Sequence, residues 1–387
     1  MKIDNKFLLK QYANDRNLKI KHNYLTNQFK DYKIIFKEIE KLILSNEFTL
    51  GSPVGIFEKK IKTLLKSKYV ISVGSGTDAL MLSLKCLGVK DGDEVITTPY
   101  TFYATIGAIV TAGAKPIFVD TKEDYNINAD EIEKKITKKT KAIMPVHWSG
   151  RICDMDKIKK ISKKYKLPIV EDACHAILAT RKKKLAGNFG DMGCFSLHPL
   201  KNLNVWGDGG FILTNNKDYY NKLMLLRNHG LISRNINKIF GYNSRLDSIQ
   251  AIVGIHLLKK IKNITKNRIK NSHYLDKKLS KNQNLVLKER KGFLREVFHL
   301  YEFRVKNCLL RDKLVDFLRG SKIDAKIHYP VPMHLQPASK FYGYKNGDFP
   351  VTENIAKSTI SLPVHEFISR KQLDKMIKKI EEFYNEN

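Results

Sequence analysis

The sequence predicts an α/β protein: a mostly parallel seven-stranded sheet with helices on both faces, followed by a smaller C-terminal α+β domain. Three observations carry this. Between residues 69 and 214, short apolar runs at 69–73, 94–98, 116–119, 141–146, 168–171, 193–197 and 211–214 read as strands. Helical stretches at 79–87, 103–112 and 155–164 fall between them, which is the pattern of strand–helix–strand units. After a lysine-rich span at 259–281 the order changes to strand, helix, strand, proline-rich loop and helix. A chain of 387 residues is long enough for two cores. We therefore expect a large domain at 26–262 and a small one at 263–387, behind an N-terminal extension of 1–25.

Each element has its own warrant. Residues 1–25 are polar and lysine-rich, read as an arm or loose helix, and carry no assigned role. From 29 to 44, Ile34, Ile35, Ile39 and Leu42 recur at helical spacing. Thr49-Leu50-Gly51-Ser52-Pro53 breaks that helix, and a second follows through Phe57, Ile61 and Leu64. Beyond the seven strands come a helix at 245–261, a strand at 297–305, a helix at 311–318, a strand at 324–328 and a terminal helix from Gln372.

The totals exclude several classes. Hydrophobic content of 42% and charged content of 28% are those of a soluble globular protein. No apolar run reaches the roughly 18–20 residues of a membrane span, and Met1-Lys2-Ile3-Asp4 opens no signal core. The five cysteines are scattered without a C-x-x-C spacing, so they read as reduced thiols in a cytoplasmic protein that binds no metal through them. The formal charge of +31 raises the question of a nucleic acid or an anionic membrane surface. The lysines, however, are spread through nearly every helix and stand where base readout prefers arginine. Compositional bias is the favoured explanation, nucleic acid an unfavoured partner, and a membrane is not expected.

In a parallel sheet, ligands sit at the carboxyl ends of the strands, and four such ends hold suggestive residues. The first strand runs into Gly74-Ser75-Gly76-Thr77 at a helix start, where free N–H groups and the helix dipole grip an anion. By itself this is equally a plain capped turn. The second leads into Pro99-Tyr100-Thr101-Phe102, an aromatic able to stack on a flat ring, though most aromatics so placed are core. The fifth ends in Glu171-Asp172, a carboxylate that must be paired or bonded, with an ordinary N-cap as the commoner reading. The sixth delivers Ser196, His198 and Lys201 into a loop closed by Gly207-Asp208-Gly209-Gly210. A lysine held there has its charged form disfavoured and its amine made nucleophilic, although with 70 Lys+Arg in the chain one more surface lysine in a loop is the commoner reading of it alone. Together the four supply a phosphate cradle, a ring stack, a pyridinium partner and an amine, the parts of a pyridoxal 5'-phosphate (PLP) site.

At this point the chain resembles the DegT/DnrJ/EryC1/StrS sugar aminotransferases, within the fold-type I PLP-dependent transferases. The likeness spans about 26–385 and rests on motifs in family order, among them Thr49-Leu50-Gly51, Gly74-Ser75-Gly76-Thr77-Asp78, Pro145-Val146-His147, Glu171-Asp172-Ala173-Cys174-His175, Ser196-Leu197-His198-Pro199-Leu200-Lys201, Arg227-Asn228-His229-Gly230 and His328-Tyr329-Pro330-Val331-Pro332-Met333-His334.

The resemblance implies that Lys201 forms the internal aldimine and shuttles the proton, and that Asp172 pairs with the pyridine nitrogen. It places Phe102 on the ring and His175 facing it. Gly76, Thr77 and Ser196 become phosphate ligands, with Asn243 reaching the same phosphate from a second subunit of a homodimer. His328 and His334 are implied to shape the sugar and nucleotide pocket. Three departures stand out: Leu197 replaces the usual aromatic and is expected to alter packing near the lysine; Trp206 is expected to narrow the sugar pocket; and 1–25 have no counterpart.

The leading expectation is transamination of a nucleotide-linked keto-deoxysugar, with glutamate as donor and the 3-keto position favoured over the 4-keto. A PLP-dependent sugar dehydratase is the first alternative, disfavoured because that branch has histidine where Lys201 stands. A regulatory or nucleic-acid-binding protein on the same fold is the second.

Overall fold

Two helices lead into the sheet. In α1 (Tyr32–Ser45) the residues turned inward are Ile35 and Leu42. α2 (Ser52–Leu65) starts after Gly51 with Pro53 in its first turn, where a missing N–H leaves no bond unmade. Its Val54, Phe57, Ile61 and Leu65 form one apolar stripe. The computed structural model describes residues 17–386.

The strands follow: β1 (Tyr69–Val73), β2 (Glu94–Thr97), β3 (Lys115–Phe118), β4 (Thr140–Ile143), β5 (Val170–Asp172), β6 (Met192–Ser196) and β7 (Gly210–Thr214). α3 (Gly76–Cys86), α4 (Tyr103–Thr111) and α5 (Met155–Tyr165) lie between them. The ladders run β1-β7-β6-β5 and β4-β2-β3, joined by parallel bridges Ile143 to Ile169 and Val146 to Asp172. β2 is parallel to β3 and β4, and β5 to β6, whereas β7 is antiparallel to both β6 and β1. The exception is forced by the connection. Residues 197–209 contain no helix to carry the chain back across the sheet, so β6 and β7 can only pair as a hairpin. The loop of that hairpin holds Lys201, and the carboxyl ends of β1, β2, β4, β5 and β6 share its edge.

The C-terminal half departs more from expectation. The helix predicted at 245–261 is α6 (Ser248–Leu258), and the lysine-rich span is itself a helix, α7 (Ile261–Leu279). Its lysines point outward while Ile261 and Ile264 join the core around the sheet and Leu275 and Leu279 join a second core. β8 (Tyr301–Val305) pairs antiparallel with β9 (Thr359–Leu362), flanked by α8 (Arg311–Gly320), α9 (Pro350–Ser358) and α10 (Arg370–Glu386). Residues 297–300, expected to begin that strand, instead bond to the loop after β4: the N–H groups of Val297 and His299 donate to Gly150 and Ser149. The strand expected at 324–328 reduces to a bridge between Lys326 and Ser361, because the chain must turn at Pro330 and Pro332, which donate no hydrogen bond.

The expected N-terminal extension is not all separate. Its residues 1–16 lie outside the described ones, but Ile20 is 2% exposed, bridges to Ile323 and belongs to the second core. Among the described residues no helix is long and apolar enough to cross a membrane.

Candidate active site

The cradle begins where β1 meets α3. Ser75 caps the helix, its Oγ accepting from the Asp78 N–H at 3.0 Å. Gly76 and Thr77 occupy the first turn, where a helix offers its N–H groups no acceptor. Two glycines bring this turn onto the ends of β6 and β7. A Cβ on Gly76 would lie 2.6 Å from the Ser196 Cβ, and one on Gly210 would lie 2.4 Å from the Ser75 carbonyl oxygen. Ser196, whose Oγ accepts from the His198 N–H at 3.2 Å and can still donate, therefore presents its hydroxyl beside two backbone donors with no acceptor among the described residues, a fit for a phosphate dianion. Ser244 Oγ donates to Asp78 at 2.8 Å and accepts from the Gly74 N–H at 3.2 Å, tying the segment that bears the exposed Asn243 to the same turn. Gly76→Ala is expected to weaken PLP binding roughly 10–100-fold, as overpacking of about 1–3 kcal/mol implies. Gly55→Ala, whose Cβ meets nothing within 4 Å, should leave it unchanged; absorbance titration of the two apoproteins compares them.

The adjacent carboxylates on β5 face different worlds. Glu171 is 0% exposed and saturated: it takes N–H groups from Gly187 at 2.9 Å, Phe189 at 2.5 Å and Gly190 at 2.6 Å, with His147 Nε2 at 2.8 Å. Asp172, on the opposite face of the strand, accepts from the Thr105 hydroxyl at 2.8 Å and the Cys174 N–H at 3.2 Å. Thr101 Oγ1 lies 2.6 Å from Thr105 Oγ1 and extends the chain. A carboxylate offers about four acceptor sites, so Asp172 keeps capacity for a further donor.

Lys201 is part-buried in a loop that is closed at its base. Leu197 donates its N–H to Gly209 at 2.7 Å and accepts from Val205 at 2.9 Å. Its side chain is 0% exposed, so the departure from an aromatic is absorbed in the core. The Lys201 carbonyl accepts from Asn204 Nδ2 at 2.9 Å and from the Tyr24 hydroxyl at 3.3 Å, and Tyr24 also donates to Leu200 at 3.1 Å. Leu200 has φ of +73°, a left-handed conformation costing about 1–3 kcal/mol that persists only when surroundings hold it. Desolvation lowers the Lys201 pKa from the usual lysine value, while Cys174 and Asp172 act in the opposite sense. That direction is the one a nucleophilic amine needs.

Around the lysine lie histidines and aromatics. His175 stacks at a tilt on His299, centroids 4.3 Å apart, meets Trp148 edge-on at 5.4 Å and accepts from the Ser149 N–H at 3.3 Å. Burial first, then Lys201 and His328, pushes the His175 pKa well down. Phe102 stays 46% exposed beside Tyr103 and Tyr329. His328 Nδ1 is 3.0 Å from Ser361 Oγ. His334 takes a different place from His328: it is 1% exposed, with Nε2 3.1 Å from Glu353 and its ring against Phe349, a setting that fixes a loop. Trp206 differs from expectation as well. Its ring packs on Phe29 and Phe36 at 5.5 and 5.9 Å, because α1 and the turn before it offer an apolar surface there.

His328 and His365 have pKa values pushed down to about 3 by burial first, with neighbouring His22 and Arg268 respectively adding to it. Both sit below the unfolded value near 6.5, so the stability tied to their neutral forms is complete above that pH and is lost as pH falls toward 3. Each should cost about 1.4 kcal/mol of stability per pH unit within this window. Thermal unfolding between pH 7.5 and 4.5 should show the slope, and His365→Gln should reduce it.

Sequence reasoning had missed Thr101, Thr105, Trp148, His299, Tyr329 and Tyr24. Thr105 lies in the first turn of α4 and Thr101 just before that helix, so no helical spacing links the two, and the signal for them was their place at the carboxyl end of β2. His299 had none; it arrives only because 297–300 leave the ladder.

Free helix donors, an acceptor for a protonated ring nitrogen and a desolvated amine on one sheet edge have a common use in holding PLP, and the class they define is that of the PLP-dependent enzymes. The chain belongs to the DegT/DnrJ/EryC1/StrS aminotransferase family, whose profile matches residues 30–381. It is 38% identical to the pleiotropic regulatory protein of Geobacillus stearothermophilus, over 93% of this chain and 97% of that one. It is 36% identical to the dTDP-3-amino-3,6-dideoxy-alpha-D-galactopyranose transaminase of Aneurinibacillus thermoaerophilus, covering 91% and 95%. The solved structure of S. venezuelae DesV in complex with a ketimine intermediate superposes with a TM-score of 0.91 at 31% identity, covering 95% and 98%. The protein is a sugar aminotransferase of fold type I, and its cofactor is pyridoxal phosphate.

Proposed function

We infer that the protein aminates a nucleotide-linked keto-deoxysugar, with glutamate as amino donor and the 3-keto position favoured over the 4-keto, within amino sugar or polysaccharide biosynthesis in the cytoplasm. The observation that carries the reading is the placement of Asp172 at the end of β5 and Lys201 in the loop after the neighbouring β6, at one sheet edge, in a chain 36% identical to a relative named as a 3-amino sugar transaminase. PLP supplies an electron sink for the carbon that exchanges the amine. The chain's own residues do the rest. Lys201 takes and returns the proton at its Nζ. Asp172 accepts from the ring nitrogen and keeps it protonated, with Thr105 and Cys174 holding its carboxylate in line. Gly76, Thr77 and Ser196 anchor the phosphate, Asn243 completes the anchor of the partner subunit in a homodimer, and Phe102 and His175 border the ring. The site lies between a large domain of 26–262 and a small domain of 263–387, with His328 and His334 on the sugar side. His334 would act there through the loop it holds against Glu353.

Assay of the purified protein with 3-keto and 4-keto nucleotide sugars, each with glutamate, tests the reading. Faster turnover of the 3-keto sugar is expected; turnover of neither would overturn the substrate class. The name of the 38% identical relative and the charge of +31 favour a second reading, a regulatory protein that binds nucleic acid. Its signature would be DNA binding with a steep salt dependence.

A further inference from the structure

Behind the Lys201 loop lies a cavity of about 110 Å3 that none of the residues assigned to the cofactor lines. Leu200 forms one wall, beside the lysine, and Arg268, His22, His299, Lys326 and His328 contribute polar groups. It exceeds by far the volume on the order of 10–15 Å3 that one water needs.

Several of these groups lack a partner among the described residues. Arg268 is 2% exposed; its Nη1 donates to the carbonyls of Phe298 at 3.3 Å and His299 at 3.4 Å, but its Nη2 has no hydrogen-bond partner among the described residues. The same is true of His22 Nε2 and His299 Nδ1. Native interiors leave few such atoms, and here three belong to one cavity wall. Two carboxylates face the region without filling the gap. Glu366 Oε2 is 3.4 Å from Arg268 Nε, and Asp324 is engaged by His22 at 3.3 Å and Lys326 at 3.6 Å. The open Nη2 edge of the guanidinium, with neutral imidazoles able to donate beside it, matches a carboxylate in shape and hydrogen bonding. The small volume suits a short aliphatic acid and excludes a nucleotide.

We propose that this cavity receives the side-chain carboxylate of a dicarboxylic amino donor, with Arg268 as its main partner, and that it thereby selects glutamate over neutral amino acids. The proposal rests on the donor reading given above. The cavity's position supports it: a donor whose amine reacts beside Lys201 can extend its side chain past Leu200 toward Arg268. Lys326 adds a second positive charge at the mouth, where it is 42% exposed.

The test follows the cofactor absorbance of the holoenzyme mixed with L-glutamate or L-alanine, without sugar, alongside calorimetric binding of glutarate, which has the carboxylates but no amine. The wild type is expected to prefer glutamate and to bind glutarate. Arg268→Gln should cut the glutamate-to-alanine ratio of rate constants about 100-fold, as loss of a buried charge-assisted pair implies, with the alanine rate unchanged. Lys326→Leu, at a more exposed position, should lower the ratio about 5-fold and weaken glutarate binding. It decides the matter if Arg268→Gln fails to fold. Equal losses for both donors, or no glutarate binding to the wild type, would overturn the cavity assignment while leaving the transaminase reading intact. If no amino acid alters the absorbance, the donor reading fails and the proposal falls with it.

Discussion

Lys201→Ala is expected to reduce turnover by at least about 10^4-fold, since it removes the group proposed as both attacking amine and proton carrier, and to yield protein without the yellow colour expected of the wild type. Lys201→Arg should be as inactive. It keeps a charge, but a guanidinium does not deprotonate in a protein and cannot act as a nucleophile. Folding should change little, within about 1 kcal/mol, because burial already disfavours the lysine's charge and the loop is held by its backbone. The Leu197 bonds to Gly209 and Val205, and the Asn204 and Tyr24 bonds to the Lys201 carbonyl, all survive the substitution. Near-wild-type melting with absent turnover separates a chemical role from a structural one. Retained turnover in Lys201→Ala would sink the assignment.

Tyr24 and Asn204 also mark what local pattern can and cannot convey. The strands with strong apolar runs, such as β1 and β6, are legible because their burial is continuous along the chain. The carboxyl-end rule then singles out Gly76, Asp172 and Lys201 from the sequence. Residues 297–300 are apolar enough for a strand, yet the loop at Ser149 and Gly150 competes for their N–H groups and wins. That long-range competition places His299 against His175, and nothing within a window of ten residues announces it. The lysine-rich α7 misleads in the opposite direction. Its charge suggests a boundary, while its inward face, including Arg268, Leu275 and Leu279, runs from one core into the other. Tyr24 belongs to a stretch with no periodic signal, and its hydroxyl finds the Lys201 loop 177 residues away.

Asp172 and Glu171 offer the sharper experiment, because neighbours on one strand should fail in different ways. Asp172→Asn keeps the size of the side chain and can keep its bonds to Thr105 and Cys174, so the fold should survive. An amide cannot hold a proton on a ring nitrogen as a carboxylate does. Turnover should fall about 10^2–10^4-fold, the usual worth of a positioned proton-transfer group, while PLP still binds. Glu171→Gln should reverse the pattern. Its carboxylate answers the N–H groups of Gly187, Phe189 and Gly190 together with His147, and an amide would set an N–H against one of those donors. Breaking a buried, fully bonded charge of this kind costs about 3–5 kcal/mol, enough to lower the melting temperature by several degrees. Any loss of turnover should then follow the unfolded fraction and recover on cooling. Denaturation curves and steady-state kinetics on the two variants separate these outcomes. If Asp172→Asn melts early, or Glu171→Gln is stable but inactive, the two carboxylates have been given each other's roles.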